Sequence, residues 1–86
     1  MAVRVLLPSL LAAEAGGRKE FELEAPTVGA ALRALPIRDL LFDERGELRR
    51  LVNVYVDGID IRSGAGVESA LAGGETVLVL QAVAGG

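Results

Sequence analysis

The chain closes with Gln81-Ala82-Val83-Ala84-Gly85-Gly86, and the last two glycines are where its chemistry is expected. Neither has a Cβ, so nothing crowds a terminal carboxyl carbon during nucleophilic attack, and glycine reaches dihedrals that let a chain thread a narrow channel. Ala82 to Gly86, fully extended, reach at most about 18 Å at ~3.6 Å per residue, enough to enter a buried site in a partner. The Gly86 carboxylate is then a tethered substrate, Ala82, Val83, Ala84 and Gly85 are the channel-threading tail, and the partner supplies the catalysis. Frayed ends are usually polar, and Ala-Val-Ala is not.

The other candidates give way to structural readings. There is no Cys and no His, which removes thiolate nucleophiles, zinc-finger sites, Ser-His-Asp triads and histidine bases. Glu20, Glu22 and Glu24 alternate with Phe21, Leu23 and Ala25; repeated like charges on one strand face read as a solvated surface rather than an acid–base pair. Asp57 and Asp60 flank a turn, and two carboxylates are a poor metal site. Gly64-Ala65-Gly66 is followed by Ser69 where a dinucleotide fingerprint needs glycine, and Lys19 lacks the spacing of a phosphate-binding loop. Arg49-Arg50 follows Glu47 and reads as solvated charge where a strand begins. With a net charge of −3 and no basic block interleaved with aromatics, nucleic acid is not an expected partner. No apolar stretch approaches the ~20 residues that span a bilayer, so no membrane partner is expected and the expected location is the cytoplasm.

Eighty-six residues, 51% hydrophobic but only 3% aromatic, imply one domain with an aliphatic core. Residues 2–7 form a short strand stopped by Pro8, and residues 9–17 read as a connection. Residues 18–25 alternate as a strand with one wet face. Thr27 is placed to cap a helix carrying Val28, Ala31, Leu32 and Leu35 on one stripe, ended by Pro36. Ile37, Leu40 and Leu41 supply a further short turn. Leu51–Val56 and Ile59–Arg62 are strands joined by Asp57-Gly58, a hairpin signal because both residues tolerate positive φ. Val67–Leu71 reads as one helical turn. Thr76–Leu80 is apolar on both faces, as expected of a central strand. The expected fold is α+β: a small mixed sheet with one main helix on one face. Residues 1–81 form the domain and residues 82–86 a flexible tail ending in Gly-Gly.

Val52-Asn53-Val54-Tyr55-Val56, Asp60-Ile61-Arg62, a Gly-rich loop, Gly74-Glu75-Thr76-Val77 and Ala82-Val83-Ala84-Gly85-Gly86, taken in order, resemble the ubiquitin-like sulfur carriers, the ThiS/MoaD family. The resemblance covers nearly the whole chain and is densest over residues 51–86. The Val-Asn-Val-Tyr-Val and Asp-Ile-Arg segments are most similar to carriers serving cysteine biosynthesis, with the small subunit of molybdopterin synthase second. Glu75 and Gln81 stand where the family often has Asp and Pro.

The resemblance implies a ubiquitin-like β-grasp fold. It also implies that an adenylating enzyme of the ubiquitin-activating type uses ATP to convert the Gly86 carboxylate to an acyl-adenylate. A sulfur donor then displaces AMP to leave a thiocarboxylate. No bound cofactor is implied, and the carrier itself is not an enzyme but a co-substrate. The implied partners are that adenylating enzyme and a sulfur-acceptor enzyme, either a pyridoxal-phosphate cysteine synthase or the large subunit of molybdopterin synthase. A tail-trimming protease completes the set. Two other readings stand beside this one: a ubiquitin-like modifier joined to lysines through Gly86, and a binding module with an inert tail.

Overall fold

A computed structural model describes residues 1–82 of the chain. The elements, in order, are β1 (Val3–Leu6), α1 (Ser9–Glu14), β2 (Glu20–Leu23), α2 (Val28–Arg33), α3 (Arg38–Leu41), β3 (Val52–Val56), β4 (Ile59–Asp60) and β5 (Thr76–Gln81). Short 3₁₀ turns at Ile61–Ser63 and Gly66–Glu68 link β4 to β5.

The five strands make one sheet in the order β2-β1-β5-β3-β4. Only the β1–β5 contact is parallel; β1–β2, β3–β5 and β3–β4 are antiparallel. Parallel neighbours need a crossover, and here the first and last strands of the chain lie side by side at the centre. This is the ubiquitin-like β-grasp arrangement that the resemblance implies.

Alternation fixes which face is dry. Val3 and Val5 on β1, Phe21 and Leu23 on β2, Val52 and Val54 on β3, and Val77 and Val79 on β5 point to the helix side. There they meet Val28, Ala31 and Leu32 of α2, then Leu35, Ile37, Leu41 and Phe42. No polar or charged residue is buried among the described residues. Each fully buried Val or Leu contributes about 1.5–3 kcal/mol, so this aliphatic layer holds the domain together without aromatic bulk.

Thr27 caps α2 as its sequence predicts: Oγ1 accepts the Ala30 N–H at 3.2 Å. The helix stops at Arg33, ahead of Pro36. The hairpin expectation also holds, with Asp57 at φ 49° and Gly58 at φ 86°. Three expectations need correction. Residues 9–14 are helical rather than a connection, because Leu11 and Ala12 pack into the core; a six-residue helix is not stable alone, and tertiary contact makes it. The strand after the hairpin stops at Asp60, and the chain turns into a 3₁₀ helix instead of continuing to Arg62. The residue 67–71 turn is likewise a 3₁₀ turn that begins and ends earlier, at Gly66–Glu68.

Candidate functional site

Among the described residues, nothing covers the face of the sheet away from the helices. Its register aligns Glu20, Leu6, Leu78, Tyr55 and Asp60 in one row across all five strands. Leu80 follows, paired with Asn53 and 40% exposed, and Leu51 beyond it is 46% exposed. The centre of this face is therefore apolar and its margins are acidic. Strand β5 is central in the sheet, yet only Val77 and Val79 are buried; Leu78 is half-buried. Apolar residues on both faces of β5 thus mark one covered face and one open one, and not a strand enclosed on both sides.

On the β2 margin, Arg4 Nη2 donates to Glu20 Oε1 at 2.9 Å and Nε to Oε2 at 3.3 Å. This two-point pair holds the Glu20 carboxyl below its ordinary range, first through the side-chain hydrogen bond and then through charge, and raises Arg4 for the same reasons. Glu22 sits opposite Arg4 in the register.

On the other margin, the Asp60-Ile61-Arg62 motif works as a clamp. Asp60 Oδ1 accepts the Arg62 N–H at 2.8 Å, and Ser63 Oγ donates to the Asp60 carbonyl at 2.7 Å. The Arg62 guanidinium reaches back across β3, donating through Nη1 to Asn53 Oδ1 at 2.8 Å and through Nη2 to the Arg49 carbonyl at 3.2 Å. A planar fork of donors is suited to bridging two acceptors in this way. The clamped segment contains Leu51, whose carbonyl accepts the Ala82 N–H at 2.7 Å. The root of the tail is thereby fixed to the same surface as the open apolar face.

Of the tail residues singled out in the sequence, Ala82 is described and is exposed. Val83, Ala84, Gly85 and Gly86 lie outside the described residues. The cations flanking the tail root are Arg49, Arg50 and Arg62; the single lysine of the chain, Lys19, precedes β2.

The remaining charged candidates have structural duties. Asp57 Oδ1 accepts the Thr76 N–H at 2.9 Å and ties the β3–β4 turn to β5. Glu75 accepts the amides of Ala72 at 2.8 Å and Gly73 at 2.7 Å, and these two bonds hold its carboxyl below the usual range. Gly64 and Gly66 serve the link between the two 3₁₀ turns, Gly66 at φ 62°. No group of three or more acidic side chains able to hold a metal occurs among the described residues. No helix among them is long and apolar enough to cross a membrane.

Sequence reasoning missed the Arg62 clamp and, although an exposed sheet face for docking was among its readings, missed that this face is apolar at its centre. The clamp joins residues 9 and 13 positions apart through side-chain reach, which periodicity does not encode. The open face had a signal: an apolar β5 in a chain too short to build a second covering layer.

A five-stranded β-grasp sheet with an open apolar face defines a small ubiquitin-like protein. The chain belongs to the ThiS family, whose model matches residues 5–86. It is 38% identical over 93 residues to the sulfur carrier protein CysO of Mycobacterium tuberculosis, covering 100% of both chains. The CysO structure in the BexX/CysO complex of Amycolatopsis orientalis superposes with a TM-score of 0.86 at 37% identity, covering 99% of this chain and 100% of that one. Small archaeal modifier protein 1 of Methanosarcina acetivorans gives 0.82 at 29% identity, covering 99% and 96%.

Proposed function

We propose that this protein carries sulfur as a thiocarboxylate on Gly86 and donates it in cysteine biosynthesis, in the cytoplasm, as a co-substrate of larger enzymes. The observation that carries this reading is the end-to-end match to a sulfur carrier protein, 38% identical across the full length of both chains. The open face and the tail root, held together by the Leu51–Ala82 bond, supply what such a carrier needs: a grip for the partner and a fixed point from which the tail enters it.

The chemistry balances in two steps. A Gly86 carboxylate oxygen attacks the α-phosphorus of ATP in an adenylating enzyme, and pyrophosphate leaves. A sulfur nucleophile then attacks the acyl carbon, a C–S bond forms, and AMP departs with the C–O electron pair. The thiocarboxylate is anionic at neutral pH and needs no cysteine on the carrier, which has none. The thiocarboxylate sulfur then displaces the leaving group from the β-carbon of an activated serine held by a pyridoxal-phosphate enzyme, the amine of that product takes the acyl group from sulfur, and a protease hydrolyses the resulting amide to free cysteine from the tail. The domain's own part is to bind and to position.

Intact-mass measurement after incubation with the adenylating enzyme from the same organism, ATP and sulfide is expected to show the gain of sulfur in place of oxygen. No gain overturns the reading. The likeness to small archaeal modifier protein 1 favours a second reading, in which Gly86 is joined to lysines of other proteins. Higher-mass conjugates in a cell extract containing tagged carrier, absent when Gly86 is deleted, mark that outcome.

A further inference from the structure

Arg49 and Arg50 line a surface cleft with Leu51, Val52, Gln81 and Asp43, at the place where β5 ends and the tail begins. Both are exposed. Arg49 donates through Nη2 to the Asp39 main-chain carbonyl at 3.2 Å, a neutral acceptor. Arg50 makes no side-chain hydrogen bond and no ion pair among the described residues; the ion pairs there are Met1–Glu24, Arg4–Glu20 and Arg38–Asp39. Asp43 shares the cleft, but its Oδ1 is occupied by the amides of Arg45 at 2.9 Å and Glu47 at 3.0 Å. Arg50 therefore faces solvent beside the tail root without a carboxylate partner among the described residues, while Arg49 feels the Asp43 carboxylate across the cleft without forming an ion pair with it.

Their placement runs against the sign of the whole chain, which carries −3. The strand directions put Glu24, Asp57 and Glu75 at the opposite end of the sheet, where β2 and β3 finish and β5 starts. Arg62, with its guanidinium on the Arg49 carbonyl, adds a third positive charge at the tail end. Arginines thus gather at the end of the sheet where β5 stops, with Asp43 as the carboxylate in their cleft, and carboxylates at the end where β5 starts, with the Met1 ammonium beside Glu24.

We propose that Arg49 and Arg50 form a basic collar that docks against an acidic protein surface, the Asp/Glu-bearing rim of the channel that receives the tail. This rests on the carrier reading and extends it to the chemistry of the partner's channel mouth. A collar at the rim governs encounter and orientation: complementary charge raises association rates by about 10–10³-fold and is screened by salt. It also orients the tail before its threading begins. The apolar open face, which charge screening does not weaken, supplies the hold that persists.

The test compares wild type, Arg50→Glu, Arg49→Glu/Arg50→Glu and a distal control, Ala72→Glu, in adenylation by the enzyme from the same organism. Ala72 is exposed at the acidic end, so that control adds negative charge without touching the collar. At low salt, about 25 mM, Arg50→Glu is expected to raise KM for the carrier by about 5–20-fold with kcat nearly unchanged. The gap should close to about twofold at 500 mM salt, where the Debye length is only a few ångströms. The control should stay within twofold of wild type. A double variant whose KM stays within twofold of wild type at 25 mM salt overturns the collar, as does an equal rise in the control. A change in KM for ATP instead of the carrier means that the arginines read phosphate, and also overturns it. Wild type that is not adenylated at all refutes the carrier reading instead, and the two failures are distinct.

Discussion

Replacing Arg62 with Ala removes two hydrogen bonds from a protonated donor, to Asn53 Oδ1 at 2.8 Å and to the Arg49 carbonyl at 3.2 Å. Both lie at the surface, where water replaces a lost partner. A net contribution of ~0.5–1 kcal/mol per bond, the lower part of the usual range, applies at this exposed site, giving a total loss of about 1–2 kcal/mol. For a domain of this size each 1 kcal/mol lowers Tm by about 4–8 °C, so the expected fall is roughly 5–15 °C. The consequence should be local as well as global. With residues 49–53 released, the Leu51 carbonyl no longer sits firmly under the Ala82 N–H, a 2.7 Å bond in the intact protein. Amide hydrogen exchange followed by NMR should show the Ala82 amide losing protection by more than the amides of Val54 and Val79 in the core. Arg62→Lys tests the fork geometry: a single ammonium reaches one acceptor well, and should recover no more than about half of the lost stability. Unchanged Tm together with unchanged Ala82 exchange in Arg62→Ala would refute the clamp. A fall in Tm with all amides affected equally would show that Arg62 serves the fold and not the tail root.

Leu80→Thr keeps strand propensity while removing apolar surface from the open face. Tm should move by only a few degrees, whereas KM for adenylation should rise about 10–100-fold, from the ~1.5–3 kcal/mol of a buried Leu side chain; an unchanged KM would exclude that face from docking. Gly73→Ala places a Cβ 2.8 Å from the Met1 carbonyl oxygen at φ +115° and should cost about 1–3 kcal/mol. Gly16→Ala, at φ +72° in open space, carries only the left-handed penalty of about 1–2 kcal/mol; thermal melts that rank Gly16→Ala as the more damaging would contradict the packing at Met1. The carboxyls of Glu20, Asp43 and Glu75 are all depressed by their folded partners. Their stabilisation is complete above the unfolded values of 4.5 for Glu and 3.8 for Asp and is lost as pH falls through the lower folded values. With no His in the chain, urea midpoints should hold level from about pH 6 to 7 and drop below about pH 4.5. Glu75→Gln should lessen that drop, and an identical acid profile in the variant would count against the Glu75 bonds.

The parts of the fold legible in the sequence were those written in local chemistry. The Thr27 cap, the Pro36 stop and the Asp57-Gly58 turn each follow from what one or two residues can do with their own backbone. The β2 alternation was equally readable, because Glu20 and Glu22 must face water. Helix α1 was not legible: its six residues are held by Leu11 and Ala12 against a core assembled from distant strands. The two faces of β5 were legible only as apolar, since their unequal burial depends on the number of layers the chain can build. At the site, residue types alone could propose the tail, of which residues 83–86 lie outside the described residues. They could not propose its anchor, because Arg62, Asn53, Arg49, Leu51 and Ala82 come from three separate stretches and meet only in the folded sheet.

The preference for arginine beside the tail root has a chemical consequence. An activated acyl end is an electrophile, and the first amines it meets are those of its own molecule. Guanidinium groups offer no free lone pair, so on the proposed carrier reading Arg49, Arg50 and Arg62 can meet an acidic partner without competing for the acyl carbon. Lysines in those positions would supply the same charge together with a nucleophile. The one side-chain amine of the chain, Lys19, lies two strands away from β5, a placement that, on the same reading, limits the ways in which the domain can acylate itself.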